Sequence, residues 1–290
     1  MKRRELITRA GAVALGAGLA SFPLGWAANA KPAKRRLLCF TKSAGFEHSV
    51  VHRNGDELSY AEKFMQDFGK KYGFEVTCSK DGRLITADNL AKYDAVYFYT
   101  TGDLTTEGTD KQPAMSPEGK AALLDFVRKG KGFLGGHTAS DTFHSGSAID
   151  PYIEMIGGEF LTHNAQQEAH MIVADRKFPG VKKLGEGYRL NDEWYAMRNF
   201  GKDLHVVLVQ ETKGMEGPAY QRPSYPATWA RMHGKGRVFC CSMGHREDVW
   251  TNPIFESVLM GGLSWAFGDV KYRIKPNIQE VCPGYDQVGK

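Results

Sequence analysis

The run Gly132-Phe133-Leu134-Gly135-Gly136-His137-Thr138-Ala139-Ser140-Asp141 constrains the fold more than any other part of this chain. A short apolar stretch that closes on two glycines and passes at once into polar side chains reads as a buried strand ending in an elbow. The glycines let the backbone turn sharply, and the next side chain is presented at the carboxyl edge of a sheet, where open α/β folds bind ligands. Just upstream, residues 116–129 place Ala121, Leu124, Phe126 and Val127 near helical spacing behind a Ser116-Pro117 N-cap and first-turn pair. A helix leading into a buried strand and then a loop is the unit from which parallel sheets are built.

The same alternation starts earlier. Residues 36–41 read as a first strand, about 56–72 as a helix, 74–78 as a second strand and 95–99 as a third. Parallel strands with helical crossovers follow, so the expected fold class is α/β, a flavodoxin-like, doubly wound and mostly parallel sheet. The second half is richer in extended segments, at 170–174, 206–210, 228–231 and 238–242, which predicts antiparallel strands added at one side. Residues 252–267 read as a closing helix, with Pro253 in its first turn and Phe255, Leu259, Leu263 and Phe267 on one face.

Residues 1–30 read as a leader rather than as part of the fold. Lys2-Arg3-Arg4-Glu5-Leu6-Ile7 precedes an Ala/Gly/Leu stretch, and Ala28-Asn29-Ala30 offers a small-x-small cleavage site, the pattern of a twin-arginine-type export signal. Such a signal implies a periplasmic protein that crosses the membrane already folded. The apolar stretch is interrupted by glycines and Pro23, which argues against stable membrane insertion after cleavage; an uncleaved anchor is the alternative. The leader holds a net +3 of the chain's +5, and the remaining +2 gives no support to nucleic-acid binding. The rest reads as one domain over 31–270 and a polar, surface-wrapping tail over 271–290. Five cysteines show no CxxC spacing. Cys39, Cys240 and Cys241 lie in apolar runs and read as core, whereas Cys282 could pair with Cys78 or another cysteine in an oxidising compartment.

Several motifs occur in order along the chain: Gly45-Phe46-Glu47-His48; Gly136-His137-Thr138-Ala139-Ser140-Asp141; Gly157-Gly158-Glu159-Phe160 with His163; Asp192-Glu193-Trp194-Tyr195; Pro226-Ala227-Thr228-Trp229; and Gly236-Arg237-Val238-Phe239 running into Gly244-His245. Together they resemble the ThuA-like (trehalose utilization) family, a branch of the class I glutamine amidotransferase-like fold. The resemblance implies carbohydrate catabolism, with trehalose, related disaccharides and their keto-sugar derivatives as the substrate class. Glutamine amidotransferases of that fold carry a nucleophilic cysteine at the elbow. Here the position falls to His137 or Thr138, which excludes thiol acyl transfer, and Ser140 lacks the Gly-x-Ser-x-Gly arrangement of a serine hydrolase.

His137 follows the double glycine, and His48 and His245 each follow a strand in a glycine-containing loop, so all three are expected at one sheet edge. With Glu193 as carboxylate partner they form the expected catalytic set, joined by Asp141, which either orients His137 or caps a helix. His163, Tyr195 and Trp229 are expected to bind or position substrate, although core packing explains a tryptophan equally well. Two chemistries fit: acid–base catalysis on a sugar of hydrolase, lyase or isomerase type, or a divalent metal held by His48, His137, His163, His245 or Glu193. The absence of HxH or HExxH spacing favours the first. A non-catalytic periplasmic sugar-binding or accessory protein is the remaining class.

Overall fold

The structure is a computed structural model that describes residues 34–288; the leader read over residues 1–30 lies outside the described residues. In chain order the strands are β1 (Arg36–Phe40), β2 (Glu75–Ser79), β3 (Ala95–Phe98), β4 (Gly132–Gly136), β5 (Glu159–His163), β6 (Gln167–Val173), β7 (Gly187–Asp192), β8 (Tyr195–Arg198), β9 (His205–Glu211), β10 (Tyr225–His233) and β11 (Gly236–Cys241). Nine of them form one sheet in the order β2-β1-β3-β4-β11-β10-β9-β6-β7, and β5 pairs separately with β8. The first five in that order are parallel to one another, and every later pairing is antiparallel. The fold is therefore the expected α/β sheet with an antiparallel extension on one side.

Side-chain alternation builds two cores, one on each face of the sheet. Leu37, Cys39, Ala95 and Tyr97 pack into one with helices Tyr60–Tyr72 and Pro253–Phe267. Leu38, Phe40, Val96 and Phe98 pack into the other with helices Pro117–Arg128 and Pro151–Ile156. Burial on both faces is what a parallel sheet covered by crossover helices requires.

Local signals fix the helix ends. Ser116 accepts from the Gly119 N–H with Pro117 in the first turn, and Asn252 caps the last long helix through the Ile254 N–H. The first long helix begins at Tyr60 rather than near residue 56, because Ser59 and Glu62 close a reciprocal capping box there. Glu62 is fully buried, and its carboxylate also accepts from Thr41 Oγ1 at 2.7 Å and from Arg53 Nε and Nη2 at 2.7 and 2.6 Å. One carboxylate thus ties the first helix to the end of β1.

The elbow glycines serve a purpose other than the one expected. Gly136 is extended, with φ −88° and ψ 152°, so no turn requires it. A Cβ at 136 would meet Tyr97 Oη at 2.1 Å, and one at 135 would meet the Ala139 Cβ at 2.9 Å. Close packing selects the glycines, and the chain turns after them in a 3₁₀ segment, His137–Asp141.

Residues 271–288 dock against the sheet. The Asn277 side chain brackets the Val206 backbone, accepting at 2.6 Å and donating at 3.1 Å, while Ile278, Cys282 and Tyr285 are buried. Cys282 sits in the core on one face and Cys78 packs against the core on the other, so the bridge considered between them is excluded; all five cysteines are free thiols.

Burial pushes the Glu62 carboxyl up, but Arg53, Thr41 and the Ser59 N–H more than offset this and hold it below its ordinary value of 4.5. Its contribution is then fully present above pH 4.5 and is lost as pH falls through the lowered folded-state value. Glu62→Gln should cost about 2 kcal/mol at neutral pH. In denaturant titrations over a descending pH series, the gap between the two proteins should stay constant down to pH 4.5 and close below it.

Candidate functional site

Because β1, β4 and β11 run parallel, the loops that leave their carboxyl ends open on one edge of the sheet. His48 lies in the loop after β1, His137 directly after β4 and His245 in the loop after β11. Glu193 enters from the turn between β7 and β8. One nitrogen from each histidine and a Glu193 carboxylate oxygen all lie within 4.8 Å of one another. Glu193 Oε2 is 3.0 Å from His245 Nδ1, 3.4 Å from His137 Nε2 and 3.9 Å from His48 Nε2. His48, His137 and Glu193 are buried, and His245 is the most open of the four.

The protonation pattern follows from the surroundings. His137 Nδ1 sits 2.7 Å from the Ser242 carbonyl oxygen, an acceptor only, so Nδ1 carries the proton and donates it. In the neutral ring, Nε2 then turns a lone pair toward an anionic oxygen. Both His137 Nε2 and His245 Nδ1 are buried without an aligned hydrogen-bond partner. Burial, with the neighbouring imidazoles, pushes the His48 pKa below its ordinary value against the pull of Glu193. Burial of Glu193 acts to raise its pKa, but hydrogen bonds from His137, His245 and His48, made when those nitrogens carry protons, outweigh it and keep the carboxylate ionised far below the usual range.

Asp192 supports this centre from beneath. Its carboxylate accepts the backbone N–H groups of Glu193 at 3.0 Å, Gly244 at 2.7 Å and Arg246 at 3.2 Å, fixing the two residues that flank His245. Gly244 has φ +116°, a conformation L side chains rarely adopt, and its carbonyl accepts from Tyr99 Oη and Trp250 Nε1. The His48 loop is held as firmly. Buried Lys80 reaches Thr41 O, Glu47 Oε1 and Asp110 Oδ2 at 3.0, 3.1 and 3.2 Å, and Asp110 also accepts from the Ser43 N–H.

The remaining expected residues separate into two groups. Tyr195 lies tilted against His137 with ring centroids 4.3 Å apart, and its hydroxyl lies 3.4 Å from His48 Nε2; burial and nearby carboxylates raise its pKa, so it stays protonated. His163 is exposed and places Nδ1 3.3 Å from Glu193 Oε1, on the outer side of the carboxylate. Two expectations are corrected. Asp141 pairs with His144 Nε2 at 2.7 Å, and the Ser242 carbonyl orients His137 in its place. Trp229 is buried against Phe200 with its indole N–H donated to Ile156 O, so it offers no platform to a ligand. Sequence reasoning also missed Asp192 and His144. Asp192 had a visible signal, since it adjoins Glu193 in a motif already singled out.

The chain matches the family model described as "ThuA: Trehalose utilisation" over residues 36–266. No curated protein matches it. Among solved structures it is similar to a ThuA-like protein from Bacteroides uniformis, at 18% identity and TM-score 0.63 over 83% of this chain and 95% of that one. A ThuA-like protein from Parabacteroides merdae aligns at 16% identity and TM-score 0.60 over 89% and 97% of the two chains. At the level of fold alone, it resembles about a third of the beta-galactosidase from Bacillus circulans sp. alkalophilus, at 12% identity and TM-score 0.51, covering 84% of this chain and 32% of that one.

Removing the Asp192 carboxylate leaves three backbone donors without their acceptor. Asp192→Ala should cost about 3 kcal/mol or more, and Asp192→Asn, which keeps one acceptor oxygen, should cost less. Amide exchange at Gly244 and Arg246 should accelerate in the alanine variant by more than global destabilisation explains.

Proposed function

The chain belongs to the ThuA, trehalose utilisation, family, and from that premise we propose that it is a sugar-processing enzyme. On this reading the His48, His137, His245 and Glu193 centre holds a divalent metal ion and acts on a disaccharide, a glycoside or its keto derivative. The observation that carries the metal is the His137 ring. Its Nδ1–H is committed to Ser242 O, so Nε2 is the nitrogen left to face the Glu193 oxygen, 3.4 Å away, and to serve as a ligand once unprotonated. Two further imidazole nitrogens approach the same oxygen, so protons shared between the rings and the carboxylate hold this cluster together without a metal, and a metal ion would take their place.

The donor set fits such an ion. Three imidazoles and one carboxylate suit a first-row transition metal of the zinc or iron type better than magnesium or calcium, which take oxygen ligands. The bond from His137 to a backbone carbonyl is the outer-shell contact that fixes the tautomer of a metal-ligating histidine. When bound, the metal would polarise a carbonyl or hydroxyl oxygen of the sugar. The chain's own residues do the rest. Tyr195, protonated and beside His48, donates a hydrogen bond to an oxygen that gains charge. His163 has its Nδ1 against Asn164 O at 3.1 Å and Glu193 Oε1 at 3.3 Å, which leaves Nε2 to take or return a substrate proton. If the leader over residues 1–30 exports the chain folded to the periplasm, the metal is taken up before export.

The purified protein should carry one equivalent of a divalent transition metal by elemental analysis. After chelator treatment, calorimetric titration of the metal should show affinity at least roughly 100-fold weaker in His137→Ala and in Glu193→Gln. Both variants should lose turnover of trehalose, glucosides or their 3-keto forms. Full turnover by metal-free protein would overturn the metal reading, and sugar binding with no turnover by the metal-loaded protein would make it a binding protein.

A further inference from the structure

Phe46 is the most exposed of the large hydrophobic side chains among the described residues, at 69% of its accessible surface, and it stands beside the candidate centre. Its ring centroid is 4.9 Å from that of His48, edge to face, and the His48 centroid is 5.0 Å and 5.5 Å from those of His245 and His137. Phe46 is therefore one imidazole removed from the donor atoms, on their solvent side.

Isolated apolar side chains on a surface are ordinary. Phe46 differs in the fixed backbone that carries it and in its place beside His48. The Gly45 N–H donates to Thr101 Oγ1 at 3.2 Å, Thr101 Oγ1 donates to Phe46 O at 2.9 Å, and Thr109 Oγ1 donates to Gly45 O at 2.6 Å. On the other side, the Glu47 carboxylate is bound to buried Lys80. Backbone at Gly45 and Phe46 is thus tied down, which roots the ring beside His48. An aromatic face in water, rooted next to a polar centre, suits a ligand with a flat C–H surface and polar edges.

We propose that Phe46 is the stacking platform for the second pyranose ring of a two-ring sugar whose first ring lies at the His/Glu centre. This inference rests on the sugar-processing reading above. A ligand ring stacked on Phe46 lies beyond His48 and does not itself reach the donor atoms, so a sugar that uses both places needs two linked rings. Phe46 would then set the preference for disaccharides over monosaccharides.

The test uses the metal-loaded full chain with Phe46→Ala and Phe46→Trp, titrated with trehalose, 3-keto-trehalose and glucose by calorimetry, and by indole emission for the tryptophan variant. Because the side chain is exposed, thermal melts of both variants should match the parent. Phe46→Ala should weaken the bound disaccharide about tenfold while changing glucose less than about twofold. Phe46→Trp should retain disaccharide affinity, with a change in emission on binding. Unchanged disaccharide affinity in Phe46→Ala overturns the platform. Equal losses for disaccharide and glucose overturn the two-ring form. Metal-free protein that still shows the Phe46-dependent loss supports the platform whether or not the centre holds a metal, and a parent protein that binds none of the three sugars overturns both the platform and the sugar-processing reading.

Discussion

The Asp192 carboxylate is the contact on which the site depends. Sheet order places β7 four positions away from β11, yet Asp192 at the end of β7 accepts from Gly244 and Arg246 just beyond β11. The strand directions leave the carboxyl ends of β7 and β11 on the same edge. Sheet twist can bring the outer strands round, but only a specific contact fixes where they stop. Asp192 supplies it, and its third bond, to the Glu193 N–H, hands the position directly to the carboxylate that faces the histidines. Burial raises the Asp192 pKa, a cost the three backbone donors partly offset.

A second constraint acts on the other side of the centre, where two lysines are buried, Lys42 just beyond β1 and Lys80 just beyond β2. Lys80 has three oxygen acceptors, which is what a desolvated ammonium needs. Lys42 reaches only the Gln112 carbonyl, at 2.8 Å, and burial lowers its pKa. Through Gln112 and Asp110, both hold residues 110–112 against the loop that carries Phe46 and His48. Rigid support of this kind is expected where side chains must keep one geometry, since small displacements of a reacting group are costly.

The parts of this arrangement legible in the sequence were those set by local pattern. Strand–helix alternation gave the parallel half, and Ser116-Pro117 and Asn252-Pro253 marked helix starts because caps are local chemistry. The histidines at strand ends could be grouped from their positions in the chain, since parallel strands must send their following loops to a common edge. Contacts made by backbone atoms from distant segments were not legible. Nothing near His137 shows that Ser242 O will orient it, so Asp141, four residues away, was the available partner, whereas in the fold it turns to His144. Strands β5 and β8 escaped notice because they are short, their pairing is irregular and β5 is largely exposed. The tryptophan at 229 shows the limit of residue type: core packing and a sugar platform ask for the same side chain, and only burial distinguishes them.

The electrostatic state of the centre follows from its construction. Burial disfavours a charge on His48, while Ser242 O assigns the His137 proton to the far side of the ring. Glu193 keeps its charge because the imidazoles facing it outweigh its own desolvation. A divalent cation entering on the proposed reading would displace no proton from His48, would replace the imidazole protons shared with Glu193, and would find its anion already ionised. The four residues belong to segments after β1, β4, β7 and β11, which come together only in the folded chain. A cation bound there would stabilise the native state over the unfolded one by mass action, and would join the parallel half to the antiparallel extension at the point where Asp192 already holds them.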